Sequence, residues 1–385
     1  MDNLKIEEIK IRLAQHKEVV SVLLLVLIAS IHLPSGIHSP LFFLLCPLLF
    51  FYKNEVIAKK EFHFLFYFIC AYLFIFTAFS QNIPRSLVAD FKVLKGIFLF
   101  PFAGLFFYLL KDIKSVLPHS LLLFLMVSSS FFFEKEHIVP EKIYYSYFNH
   151  PNIAGFSLFF LILLALFFWD LSKTKAEKGL NCATVIIGVV LIVIANSRSI
   201  WLGLIAFALS WLFLAKNISC RWKFLLLLSL IFGSVLLFLY GDSKEPLGSM
   251  AIRSVIWTTV YNDTMAAYPW VGFGLNTFKG SFGKISHLAV MPHNSIVEIF
   301  QSSGVLGTGM MMVVFIGLFS VLCKIYLRQR QEENAFVVVI SCSAVIALLI
   351  ISLFDFRLFD FKFMATLMIF IGWLNAVDFD RREGE

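Results

Sequence analysis

The 385 residues are 59% hydrophobic, 17% aromatic and only 15% charged, with 46 Phe and a formal net charge of +7. Soluble domains carry roughly 25% charged residues, and one water-soluble core cannot hide this much apolar surface, so the composition excludes an ordinary soluble enzyme and calls for lipid as solvent. The basic residues sit in short segments between apolar runs, a membrane-topology bias that argues against a nucleic-acid partner.

A bilayer core about 30 Å thick needs roughly 20 apolar residues per helix. The runs 158–169 and 224–239 show no period-two alternation, which favours helices over a barrel. The predicted fold is therefore all-α: a polytopic membrane protein with about 12 transmembrane helices in one transmembrane domain over the whole chain, with a helical external loop region. In chain order the predicted spans are 19–33, 37–52, 62–79, 94–110, 115–133, 153–171, 182–196, 199–215, 223–241, 303–326, 335–354 and 361–377. The spans 37–52 and 182–196 are short. The first run follows a charged segment without a small-residue cleavage site, so it reads as a span and not as a removed signal peptide.

An even number of spans puts both termini on one side. Most Lys and Arg fall in the alternate short loops, among them Lys53, Lys59, Lys60, Lys173, Lys175, Lys178, Arg221, Lys223, Lys324 and Arg328. The positive-inside rule then places both termini in the cytoplasm. On the other side lie two moderate loops, 80–93 and 134–152, and one dominant loop, 242–302. Loops longer than about 15 residues usually have a function, and this one is expected to fold as helices over a cavity that opens to lipid. The six cysteines show no C-x-x-C and lie in apolar runs or in cytoplasmic loops, so neither a disulfide nor a metal site is predicted.

Three groups of residues stand out on the external side. Arg198, in Asn196-Ser197-Arg198-Ser199, opens a span; such an arginine either snorkels as an anchor or finds an anion. Arg253 lies on a predicted surface helix from about 248 to 267, with Trp257 one turn on, and is either solvated or directed at a ligand. His293 precedes Asn294, and Ser295 with Glu298 reads as an S-x-x-E capping box that starts the next helix. A neutral imidazole there could accept a proton, as a general base must near pH 7; the alternative is a loop histidine beside an ordinary cap. Between them, Pro269-Trp270-Val271-Gly272-Phe273-Gly274 suggests a tight turn, and without a preceding strand or third glycine it is not a dinucleotide signature. His150-Pro151-Asn152, with Gly155, marks the entry to the sixth span as a polar contact or a helix-entry turn. The only D-x-D, Asp378-Phe379-Asp380, falls in the cytoplasmic tail, so a metal-dependent glycosyltransferase site is not supported, and no Walker A motif is present.

Taken in order, these features resemble the O-antigen ligase and polymerase superfamily of bacterial inner membranes. An arginine opens a span, and a second begins a large external loop with Trp four residues later. P-x-x-G-x-G follows, then H-N-S-x-x-E with Gly304 and Gly307. The likeness covers roughly 180–310, and the compact chain looks most like the O-antigen ligases. That resemblance implies transfer of an O-antigen glycan from undecaprenyl diphosphate to the lipid A-core oligosaccharide on the periplasmic face, without a cofactor. On this reading Arg198 and Arg253 hold the diphosphate, His293 is the base, and Asn294 and Trp257 line the substrate. An O-antigen polymerase, a protein O-glycosylating ligase and a lipid-linked glycan transporter are the competing readings. A transporter would place charges along the membrane interior, whereas here the notable ones gather on one face.

Overall fold

The structure is a computed structural model that describes residues 16–31, 38–51, 60–110, 113–129, 151–195, 197–215, 246–278, 293–329, 335–354 and 358–383. The predicted span 223–241, most of the loop 134–152, Asn196 and His150 lie outside the described residues, as does the Arg198 side chain. Among the described residues all regular structure is helical: α1 (Lys17–Ser30), α2 (His38–Phe51), α3 (Lys60–Ala78), α4 (Ile83–Ile97), α5 (Leu99–Leu110), α6 (Leu117–Ser129), α7 (Pro151–Leu171), α8 (Lys175–Ile194), α9 (Arg198–Leu214), α10 (Pro246–Ala267), α11 (Ser295–Gln329), α12 (Ala335–Phe354) and α13 (Phe361–Glu383). Five stretches among these residues are long and apolar enough to cross a bilayer: Ile83–Leu110, Asn152–Leu171, Lys175–Ile194, Ser295–Gln329 and Ala335–Phe354. Five shorter apolar helices accompany them. The chain is a helical membrane protein.

Two expectations need correction. The stretch 80–93, read as an external loop, is mostly the helix α4. Asn82 caps it by accepting from the Arg85 amide at 3.1 Å, and Pro84 sits in its first turn, where no amide is needed. Ser86, Ala89, Asp90 and Val93 bury one face while Leu87, Val88 and Phe91 face outward. The short span 182–196 is a full-length helix that begins at Lys175. Thr174 and Glu177 form a capping box there, the Thr174 hydroxyl accepting from the Glu177 amide and the Glu177 carboxylate from the Thr174 amide.

The outer surface carries phenylalanines that water would not tolerate: Phe74 is 79% exposed, Phe91 77% and Phe213 72%. Apolar side chains presented this openly belong against acyl chains. Inside, α7 is enclosed by its neighbours, and Phe156, Phe159, Phe160, Phe167 and Phe168 are fully buried. Phe167 stacks on Trp373 of α13 with ring centroids 4.3 Å apart. Lipid removes most of the hydrophobic drive between helices, so such close van der Waals packing must hold them together.

The helix ends sort into two groups. At one end Tyr326 at the foot of α11 donates to the Leu214 carbonyl at the end of α9. There too the start of α8 meets the segment before α6, where Lys173 Nζ donates to the Ile113 carbonyl and Glu177 accepts from the Val116 amide. This is the lysine-rich end, with Lys114, Lys173, Lys175 and Lys178. At the other end the starts of α7, α9 and α11 meet the ends of α8 and α12.

Candidate functional site

The end of α12 organises the second group. Its last two carbonyls each take a donor from a different segment. Asn294 Nδ2 donates to the Leu353 carbonyl at 2.8 Å, and Arg253 Nη1 donates to the Phe354 carbonyl at 2.6 Å. Helix C-termini leave carbonyls without intrahelical partners and carry partial negative charge, so a guanidinium and an amide N–H are suited to this place. The two segments that sequence separates by some forty residues therefore meet on adjacent residues. The other N–H groups of the half-buried Arg253 make no protein hydrogen bond among the described residues, and they fan out in the planar fork that fits phosphate oxygens.

Arg198 is the first residue of α9, which packs more extensively against α12 than against any other helix. The two helices run antiparallel, with Gly203 set directly on the Ile351 side chain. The start of α9 is thereby level with the end of α12, and the backbone of Arg198 lies at the same end as Arg253 and His293. Trp257, half-buried, packs with Val297 onto the small apolar cluster of Ile256, Val260, Phe273 and Phe278. That cluster fixes α10 against the first turn of α11.

The start of α11 differs from the sequence reading. The capping residue is Asn294, one position before the expected Ser295: its Oδ1 accepts from the Ile296 amide at 2.9 Å and the Val297 amide at 3.0 Å. Asn and Ser are comparable caps, and only the backbone turn decides between them. The turn is set by His293, whose φ of 53° lies in the left-handed region. Such angles are uncommon outside glycine, and they persist where surrounding contacts hold them. Asn294 is thus a bracket with one arm on the start of α11 and the other on the end of α12. Asn294→Ala should cost about 1 kcal/mol for the lost cap and leave the Leu353 carbonyl without its donor. Asn294→Asp keeps the acceptor and loses only the second arm. Thermal melts in detergent should rank Asn294→Ala below Asn294→Asp, and both below the unaltered chain; equal melts would mean the bracket contributes nothing.

Further along, α11 is broken at Gly304, with φ 60° and ψ −157°. At the break four backbone groups of α11 bond to the Pro269–Gly274 segment instead of to their own helix. The Val305 and Leu306 amides donate to the Pro269 and Trp270 carbonyls at 2.8 and 3.2 Å. The Gln301 and Ser302 carbonyls accept from the Phe273 and Gly274 amides at 2.8 and 2.9 Å. Buried backbone groups need hydrogen-bond partners, and this strap supplies them. Gly272, at φ 67°, permits the approach: a Cβ there would stand 2.5 Å from the Ser302 carbonyl carbon. The α3–α4 turn and the first turn of α4 hold the strap from its other side, the Gln81 amide donating to the Phe273 carbonyl at 3.2 Å and the Ser86 hydroxyl to the Leu275 carbonyl at 2.9 Å. Beneath it Tyr72 donates to the Ser303 hydroxyl at 2.9 Å, Gln301 to the Thr277 hydroxyl at 3.0 Å, and Thr77 to Asp90 at 2.6 Å. Sequence reading found the glycines as a tight turn and missed these supports, most of which are single polar residues within helices.

Among known proteins, the family model described as O-antigen ligase matches residues 183–312, about a third of the chain, from α8 through the break in α11. A search of curated proteins finds no match.

Proposed function

With the O-antigen ligase family assignment that residues 183–312 support, we propose that this chain is a metal-independent, inverting glycosyltransferase of the O-antigen ligase type. It transfers O-antigen polysaccharide from undecaprenyl diphosphate to the lipid A-core oligosaccharide, on the periplasmic face of a bacterial inner membrane. Both termini are then cytoplasmic, and the 242–302 region caps the site. One observation carries the reading: Arg253 and Asn294, the neighbour of His293, are anchored on adjacent carbonyls at the end of α12. The Arg253 guanidinium and the backbone beside His293 thereby lie at the same end of α12, opposite the lysine-rich end, which supports their sharing one site.

The chemistry is a single in-line displacement. An acceptor hydroxyl oxygen attacks the anomeric carbon and forms the new glycosidic bond. His293 takes the hydroxyl proton. The bond from the anomeric carbon to the diphosphate oxygen breaks, and its electron pair leaves with undecaprenyl diphosphate. Charge building on the departing oxygens is stabilised by Arg253 and Arg198, as fixed donors stabilise developing charge elsewhere. Asn294 holds His293 in place at the edge of the substrate site; Trp257 lines the donor side beside Arg253.

The test is transfer by purified, detergent-solubilised protein supplied with a defined undecaprenyl-diphosphate glycan and a lipid A-core acceptor. Polymer attached to the core supports the ligase reading. Growth of the lipid-linked glycan itself would identify a polymerase, and the absence of a new glycosidic bond would leave a transporter. Within this assay Arg253→Lys keeps the charge and loses the fork. It should raise the donor KM by about 10–100-fold, the worth of one charge-assisted hydrogen bond. An unchanged donor KM would remove Arg253 from the diphosphate site.

A further inference from the structure

The Asn152 turn lies against the helix start that bears Arg198. Ser197 occupies the N-cap position of α9, where a serine hydroxyl ordinarily accepts from an amide of its own helix. Here its side chain makes no capping bond. Its Oγ donates instead across the helix interface to Asn152 Oδ1 in the first turn of α7, at 2.9 Å. Ser197 is fully buried, and Gly155, one turn further along α7, lies directly beside it: a Cβ there would stand 2.9 Å from Ser197 Cβ. Trp201 Nε1 adds a second tie, to the Ile192 carbonyl of α8 at 3.3 Å. A serine cap is typically worth about 1 kcal/mol. A chain that forgoes it for a bond to another helix gains a fixed register for the next residue, and the next residue is Arg198.

We propose that Asn152 is a positioning residue for donor binding: through Ser197 it fixes the first turn of α9, and with it the point from which Arg198 reaches the lipid diphosphate. The inference rests on the assignment of Arg198 given under Proposed function. Asn152 touches no reacting atom in this role. It acts because a long, flexible arginine delivers its fork to one spot only when its Cα is held, and small misplacements at a reacting centre are costly.

The experiment uses the full chain in detergent and reads two quantities: donor KM and kcat for transfer, and direct binding of undecaprenyl diphosphate followed by tryptophan fluorescence. Asn152→Ala and Ser197→Ala should each weaken undecaprenyl diphosphate binding and raise the donor KM by about tenfold, the worth of one lost hydrogen bond, with kcat close to that of the unaltered chain. Asn152→Asp retains the accepting oxygen and should restore both. In an Arg198→Ala background, Asn152→Ala should add no further loss. Full additivity in that double variant, or unchanged binding in both alanine variants, would overturn the inference. If Asn152→Ala does not fold, Ser197→Ala carries the same test. An unaltered chain that binds undecaprenyl diphosphate but joins no glycan would overturn the ligase reading alone, and the binding arm would still decide the role of Asn152. An unaltered chain that does not bind the lipid would overturn both.

Discussion

The chain carrying His293→Ala should insert, purify and bind undecaprenyl diphosphate as the unaltered chain does, and give no detectable glycan transfer. Removing a positioned general base typically costs 10²–10⁴-fold, which takes a slow lipid-to-lipid transfer below detection. On the proposed reading the loss should fall on kcat, because there the arginines hold the donor and the imidazole does not. The backbone complicates a bare alanine substitution, since residue 293 has φ 53° and alanine resists that conformation. His293→Asn separates the two effects. Asparagine adopts left-handed angles readily but is no base near neutral pH, so this variant should melt with the unaltered chain and be equally inactive. Activity in His293→Asn alone would mean that geometry matters here and basicity does not. Transfer retained in His293→Ala would remove the imidazole from the chemistry altogether.

Hydropathy made the membrane class and most of the helices legible, because a run of apolar residues states its own need for lipid. It failed where a helix is only half apolar. In α4 the outward Leu87, Val88 and Phe91 are interleaved with Arg85, Asp90 and Lys92, and the charges made the stretch read as a loop. The signal was still present, since Ser86, Ala89, Asp90 and Val93 recur at helical spacing on the buried face. The Thr174 to Glu177 capping box was equally open to a reading that looked for it. Arg253, His293 and Asn294 stood out in the sequence by residue type and order. What sequence could not supply was the meeting place, because the partners of Arg253 and Asn294 are backbone carbonyls of Phe354 and Leu353, and any residue has a carbonyl. Side-chain identity marks only half of such a contact.

The glycine that breaks α11 should prove as sensitive as the base, for a reason that lies in folding. Gly304 combines φ 60° with ψ −157°, a region open almost only to glycine and worth about 1–3 kcal/mol of strain to other residues. A Cβ at this position would also stand 2.5 Å from the Pro269 carbonyl oxygen, the same oxygen that accepts from the Val305 amide. Gly304→Val must therefore either part the strap from the helix or straighten the helix. The first breaks four backbone hydrogen bonds and leaves their donors and acceptors unpaired. The second swings the segment Ser295–Ser303, with Asn294 at its head, away from the Leu353 carbonyl. Both routes lead to the same measurable result: a melt lowered by more than about 3 kcal/mol of stability, and transfer lost along with it. Gly309, by contrast, has open space where a Cβ would go, so Gly309→Ala on the same helix should melt and transfer as the unaltered chain does. If Gly304→Val proved as harmless as Gly309→Ala, the break would be incidental, and the strap could not be what holds His293 in register with the arginines.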